Sequence, residues 1–216
     1  SAASDVYKRQ ERFRAEGLTA VAMKVDGADA AVFGISDTAR PTAKAAVEEL
    51  GRMGVECAMI SGDNRAAAER TAAEVSIRKV YAPVLPARKL EIISSAQREG
   101  RKVCMIGDGV NDSPALSEAD AGVAISTGAA IAREIADITI ASEDLFELVT
   151  LRRISEALMG RIHRNYRFIV GFNLGLIVFG VAGLLPPTTS ALLHNASTLA
   201  ISLKSMTNLL PDKKKI

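Results

Sequence analysis

The sequence is short of several things that would have pointed to common functions. It has two cysteines in 216 residues, no tryptophan, and a formal net charge of only +2. A near-balanced charge whose basic residues are spread along helical stretches, with no long basic block, gives no argument for a nucleic-acid partner, and none is expected. Cys57 and Cys104 each sit in a short apolar run, Glu-Cys-Ala-Met-Ile and Lys-Val-Cys-Met-Ile. Both are therefore expected to be buried small hydrophobes in a reducing compartment, with no disulfide or metal role. The chain does not begin with Met, and no charged segment followed by an apolar one opens it, so no signal peptide is expected at its start. Residues 1–17 extend no later pattern and are expected to be a fragment boundary or remnant with the end of a preceding domain. A hydrophobic share of 48% fits one or two folded domains rather than a disordered tail.

From residue 18 to 145, short apolar runs rich in β-branched residues alternate with amphipathic stretches, the rhythm of a parallel sheet flanked by helices. Strands are predicted at Thr19–Lys24, Ala30–Ile35, Cys57–Ser61, Lys79–Tyr81, Lys102–Ile106, Ala121–Ala124 and Ile138–Ile140. Helices are predicted at Thr42–Met53, Ala66–Val75, Ala87–Glu99 and Ala129–Ile135. Arg40-Pro41 before Thr42, and Asp63-Asn64 before an alanine-rich run, are helix-start signals.

A basic helix is expected over residues 146–167, carrying Arg152, Arg153, Arg161, His163, Arg164 and Arg167. It runs into the uncharged stretch Phe168–Leu185, long enough for a transmembrane helix. Pro186-Pro187-Thr188-Thr189 makes a turn, and a second, more polar span is expected over Ser190–Leu210, within a membrane region of 168–210 and before a basic tail at 211–216. Basic residues crowd the outer ends of both spans while the turn is uncharged, which puts both ends in the cytoplasm.

The most specific string is Gly107-Asp108-Gly109-Val110-Asn111-Asp112-Ser113-Pro114, directly after an apolar strand. Ligands of α/β sheets bind at the C-terminal ends of the strands. Gly107 and Gly109 allow a sharp backbone turn and close approach to a phosphate, and Asp108 and Asp112 offer hard oxygen ligands suited to magnesium. A second strand end carries Ser61-Gly62-Asp63-Asn64, whose hydroxyl and amides can donate to phosphate oxygens; alone it also reads as a plain helix cap. In Pro86-Ala87-Arg88-Lys89 the lysine opens a helix, where its ammonium could neutralise a phosphoryl group.

These three elements, in this order, resemble the haloacid-dehalogenase-like phosphoryl-transfer fold as used in P-type ATPases. The resemblance implies Mg2+ and ATP as cofactors, with Asp108 binding magnesium and Asn111 and Asp112 holding the phosphate and metal shell. It implies that Ser61 and Gly62 contact phosphoryl oxygens, that Asp63 belongs to the hinge-side loop, and that Lys89 offsets phosphate charge. Asp37-Thr38-Ala39-Arg40-Pro41 looks like the family's Asp-x-x-Arg-Pro segment, which brings Asp37 and Arg40 to the nucleotide hinge. In such pumps an Asp-Lys-Thr-Gly aspartate takes the γ-phosphoryl of ATP. No such string occurs here, so the chain alone is expected to be inactive and to need the missing N-terminal parts of the same pump.

In the second span, His194, Ser197, Thr198, Ser205 and Asn208 fall on one side of a helical wheel, with Lys204 near the margin. A polar stripe at membrane depth should face a bundle or an ion path, and helix–helix hydrogen bonding explains it as well. Asn173 is the isolated polar residue of the first span, open to packing or ion contact, and Gly171 with Gly175 supplies a small face for helix contact. Two spans after the phosphorylation domain, and the His-Asn-Ala-Ser-Thr string, resemble the heavy-metal branch of P-type ATPases. The resemblance implies a transition-metal ion as transported substrate, with His194, Ser197, Thr198 and Asn173 as tentative ion contacts. Imidazole suits zinc, cobalt, nickel or copper, while the hydroxyls lean to harder ions. With no thiolate and only Met206 in the span, copper(I) is not the first expectation. The expected architecture is thus an α/β, haloacid-dehalogenase-like parallel sheet flanked by helices and followed by a two-helix transmembrane hairpin. The hairpin would lie in a lipid bilayer, the plasma (inner) membrane, with the α/β domain cytoplasmic. A soluble phosphatase of the same superfamily and a non-catalytic regulatory fragment are the rival readings.

Overall fold

A computed structural model describes residues 2–16, 18–35, 38–107, 110–125, 130–140 and 144–210. The chain divides into two compact units, residues 1–149 and 150–216.

The first unit opens with α1 (Ala2–Ala15), within the residues 1–17 expected to be a fragment boundary or remnant with the end of a preceding domain. Its mixed charges leave no apolar stripe to read, yet it packs on the hairpin of β1 (Thr19–Val25) and β2 (Ala28–Ile35). A methyl at Gly34 would come within 3.0 Å of the Phe13 ring and 2.9 Å of Leu18, so helix and hairpin meet there without room for a side chain. β1 and β2 pair antiparallel, because Asp26 and Gly27 turn the chain back in two residues with φ of 50° and 81°. Such a two-residue turn matches the twist of a hairpin, and glycine adopts it without cost. The single parallel sheet suggested by the sequence is therefore corrected at its first two strands.

The remaining strands form two parallel pieces. β3 (Ala58–Ile60) pairs with β4 (Lys79–Tyr81) across α3 (Arg65–Glu74), after α2 (Ala43–Arg52). β5 (Cys104–Gly107), β6 (Ala121–Ile125) and β7 (Ile138–Ile140) form the other, connected through α5 (Ser113–Glu118) and α6 (Ala130–Ile135). Between the pieces runs α4 (Pro86–Arg98). Among the described residues no strand joins β3 to β5, so the sheet is interrupted. Glu56, ahead of β3, forms a salt bridge with Arg101, ahead of β5. The two pieces therefore start beside each other.

The core is built where helices cover β6. Gly122, Val123, Ala124 and Ile125 are all buried, the run expected of a strand covered on both faces. Leu116 of α5, Ile93 of α4, Ala68 and Ala72 of α3, and Val75 just past its end are buried too. Gly122 is held so close to α5 that a Cβ there would sit 2.6 Å from the Leu116 carbonyl oxygen. Cys57 is half-buried and Cys104 exposed, against the expectation of two buried thiols; both stand at the starts of edge strands. Desolvation still raises both thiol pKa values, so neither is a reactive thiolate at neutral pH.

The second unit holds most of α7 (Glu147–Val181) and α8 (Pro187–Ser205). α7 stops before the apolar run does. Gly183, at φ +72°, donates to the Gly180 carbonyl, and Leu184 donates to the Phe179 carbonyl, the paired bonds of a glycine C-terminal stop. The helical part of the run, Phe168–Val181, then rises about 21 Å, short of a ~30 Å hydrocarbon core. Among the described residues no helix is long and apolar enough to cross a membrane. The expected second span, Ser190–Leu210, is helical only to Ser205 and starts three residues earlier, with Pro187 at its first turn.

The two helices are tied by polar groups on facing sides. Arg161 donates from Nη1 to the carbonyls of Ser205 (2.8 Å) and Thr207 (2.6 Å) and from Nη2 to that of Asn208 (2.9 Å). These carbonyls lie where a helix end has lost its own donors. Asn165 Nδ2 donates to Ser205 Oγ at 2.8 Å, and His194 Nδ1 lies 2.9 Å from Asn173 Oδ1.

Candidate functional site

Two strand ends and the start of one helix build the site. β5 ends at the buried Gly107, and the 3-10 turn Val110–Asp112 then leads into α5. A Cβ at Gly107 would lie 2.7 Å from Asp112 Cβ and 3.0 Å from Asp112 Oδ2, so only glycine lets this carboxylate fold back over the strand end. Asp112 Oδ1 accepts a hydrogen bond from Lys89 Nζ at 2.6 Å, with the two side chains 14% and 15% exposed. Lys89 reaches this point from the first turn of α4, whose start is set by Pro86 at the position where a missing N–H costs nothing.

The second loop is bonded to the same helix start. Val84 N donates to Ser61 O at 2.9 Å, while Ser61 N donates to Tyr81 O and carries the β3–β4 ladder one step further. Within the loop, Ser61 Oγ donates to Asp63 Oδ2 at 2.8 Å and accepts from Asp63 N at 3.1 Å. Asn64 caps α3 through its Oδ1, which accepts from Ala67 N at 2.9 Å. Ser61 is half-buried, whereas Gly62 and Asp63 are exposed.

Lys89 and Asp112 are thus in direct contact, and Ser61 is bonded to Val84, two residues before the helix that carries Lys89. Asn111 is exposed beside Asp112, and Arg40 is half-buried ahead of α2. Asp108, Gly109 and Asp37 lie outside the described residues. Ser113 was not singled out from sequence: it is buried, and its Oγ has no partner among the described residues. The Val84 backbone bond was missed as well, since a main-chain donor leaves no sequence signal.

Chemically the pair is only half spent. An ammonium has three donors and a carboxylate about four acceptor positions. Lys89 keeps donors for anionic oxygens, and Asp112 keeps Oδ2. Among the described residues no three His, Cys, Asp or Glu side chains cluster as a metal cage. One or two carboxylates completed by phosphate and water oxygens is, however, the arrangement magnesium takes.

The family model for haloacid dehalogenase-like hydrolases matches residues 3–120. The chain belongs to the haloacid dehalogenase-like hydrolases. It is 37% identical over 209 residues to copper-transporting ATPase 2 of Mus musculus, covering 94% of this chain and 14% of that protein. It is 37% identical over 198 residues to the copper-exporting P-type ATPase of Bacillus subtilis (strain 168), covering 92% of this chain and 25% of that one. Among solved structures, a zinc-transporting PIB-type ATPase in its E2.Pi state matches with a TM-score of 0.83 at 25% identity, over 94% of this chain and 34% of that one. The catalytic CPx-ATPase domain CopB-B matches with a TM-score of 0.53 at 38% identity, over 60% and 52% of the two chains. Within its family the chain groups with the heavy-metal P-type ATPases, and it spans a quarter or less of the length of these two curated relatives.

Proposed function

We propose that the chain supplies the phosphate-holding half of a phosphorylation site, together with a two-helix membrane hairpin, in an ATP-driven transition-metal pump. The observation that carries this reading is the Lys89–Asp112 pair at the C-terminal end of β5, in a chain similar over nearly its whole length to metal-exporting P-type ATPases. The nucleophilic aspartate comes from an Asp-Lys-Thr-Gly segment that these 216 residues do not contain. A strand carrying it would find open edges at β3 and β5, which no strand joins among the described residues.

In this assignment Lys89 turns its remaining donors to the transferring phosphoryl group, where fixed positive charge stabilises developing negative charge. The Gly62 amide donates to the same oxygens, and so does Ser61 once its single hydroxyl proton turns from Asp63 Oδ2, with the Asp63 amide still donating to the Ser61 oxygen. Gly107 and Gly109 let the main chain approach. Asp108 and Asp112, with Asn111 beside them, hold magnesium, which when bound neutralises phosphate charge. Asp37 and Arg40 belong to the nucleotide hinge.

The hairpin reading rests on exposed apolar side chains along both helices, including Leu174, Ile177, Val178, Leu192, Leu199 and Leu203. A short apolar stretch is accommodated by local bilayer thinning and by basic residues reaching to the interface. The flanking basic residues support a cytoplasmic position for both ends of the hairpin and for the α/β unit. With Nδ1–H donating to Asn173, His194 keeps its Nε2 lone pair for a transition metal. Ser197 and Thr198 donate their hydroxyl protons to His194 O, at 2.8 and 3.0 Å, leaving oxygen lone pairs for an ion. A soluble phosphatase leaves the exposed apolar surface unexplained.

The test joins this chain to the upstream region of a 37% identical relative and measures ATP turnover with added copper(I) or zinc. Stimulation by metal, lowered by His194→Ala with the fold intact, is expected. Turnover indifferent to every transition metal contradicts the pump, and unchanged stimulation in the variant assigns His194 to packing.

A further inference from the structure

The charge along the hairpin is one-sided. Between Glu156 and Asp212 the sequence contains no carboxylate, while Arg161, Arg164, Arg167 and Lys204 are all cationic. Arg161 is satisfied by the three carbonyls at the end of α8. Arg164 and Arg167 are exposed, without an ion-pair partner among the described residues. At 100° per residue Arg167 lies on the side of α7 turned away from Arg161, Asn165 and Asn173, which bond to α8, while Arg164, three residues on from Arg161, stands next to it at the edge of that face. Lys204 is exposed beside Ser205, the residue bonded to Arg161 and Asn165, so it stands at the same end of the hairpin.

Directly below this end the surface turns apolar. Arg167 is followed by exposed Phe168, Ile169 and Val170, with Phe168 stacked on Phe172 at 5.6 Å. Exposed Tyr166 sits at the boundary, where an amphipathic ring prefers the headgroup level. Cations without counter-ions, above apolar side chains that lack cover, match a bilayer surface in both layers.

We propose that Arg164, Arg167 and Lys204 form a site for anionic phospholipid headgroups, selecting phosphatidylglycerol-type lipids around the cytoplasmic end of the hairpin. Their counter-ions are lipid phosphates, because the chain offers no carboxylate within this segment. Guanidinium binds a phosphate with two parallel N–H donors, which an exposed arginine retains in full. This inference rests on reading the hairpin as a bilayer element and adds a lipid preference to it.

The experiment reconstitutes the full chain in mixed vesicles with trace chain-spin-labelled phosphatidylglycerol or phosphatidylcholine. Electron paramagnetic resonance then gives the motionally restricted fraction of each lipid. The expected result is preferential restriction of phosphatidylglycerol, on the order of fivefold for each arginine at low salt, as ~1 kcal/mol per basic side chain near an anionic surface implies. The preference falls with added salt, and R164Q/R167Q, with unchanged helix content, cuts it at least fivefold. Equal restriction of both lipids overturns the headgroup site while leaving the hairpin in the bilayer. No restricted lipid of either kind overturns the membrane reading and the site together.

Discussion

Lys89 Nζ and Asp112 Oδ1 meet at 2.6 Å, from the start of one helix and the turn before another, with most of both side chains out of solvent. Removing one member leaves a part-buried charge without its partner. Lys89→Met or Asp112→Asn should each cost about 1–3 kcal/mol in stability. Removing both should cost less than the sum of the two, with a coupling of ~0.5–3 kcal/mol measured by thermal or denaturant unfolding. Strict additivity would show that the contact contributes nothing to the fold.

Gly107→Ala should do similar damage by a different route. The new methyl would meet Asp112 Cβ at 2.7 Å, and neither backbone nor Cβ can swing aside as a flexible chain end could. A loss of about 1–3 kcal/mol is expected, with the Lys89 contact displaced. Gly51→Ala in α2 is the control: nothing lies within 4 Å of its Cβ position, and a helical glycine replaced by alanine should gain about 0.5–1 kcal/mol.

Asp120 gives a pH signature. Lys102, the Val103 amide and Gln97 hold its carboxyl down to about 2. A depressed carboxyl favours the folded state above its unfolded pKa, and that contribution is lost as pH falls toward the folded value. The stability advantage over Asp120→Asn should therefore be constant above about pH 5 and fall away between about pH 5 and pH 1. Denaturant midpoints of both proteins across that range decide it. A constant difference down to pH 2 would mean that the carboxyl is not held low.

Arg161→Ala should release the end of α8. Three carbonyls lose their donor, and what remains is the Asn165 bond to Ser205 Oγ together with the local bonds of Met206 to Leu203 and Thr207 to Lys204. Faster amide exchange confined to residues 203–208 is expected. Lysine at position 161 should restore only part of the protection, since an ammonium lacks the planar fork.

What could be read from the residues follows from how local each signal was. β4 and β7 fall at the predicted residues, and the ends of α2, α3 and α4 within one residue of them, because caps, prolines and apolar spacing act within a turn or two. α1 escaped, since its hold on the rest of the unit comes from the close approach of Phe13 and Leu18 to Gly34 rather than from an apolar stripe. The interruption between β3 and β5 depends on long-range pairing that no short window contains. The apolar run Phe168–Leu185 was read as one helix because hydropathy continues past Gly183, where the backbone turns left-handed. At the site, Lys89 and Asp112 could be named because each opens a helix after a strand. The Val84–Ser61 bond could not, being made by main-chain groups that every residue carries.

Phosphoryl transfer is the most direct test of Lys89 and Asp112 as half of a phosphorylation site. Hydroxylamine-labile 32P incorporation from γ-labelled ATP should be measured on this chain alone and on the chain completed with an upstream Asp-Lys-Thr-Gly region. Acyl phosphate is expected only in the completed protein, and Lys89→Ala or Asp112→Ala should abolish it. Acyl phosphate on the isolated chain, or undiminished labelling in both variants, would contradict the claim that these residues form half of a phosphorylation site.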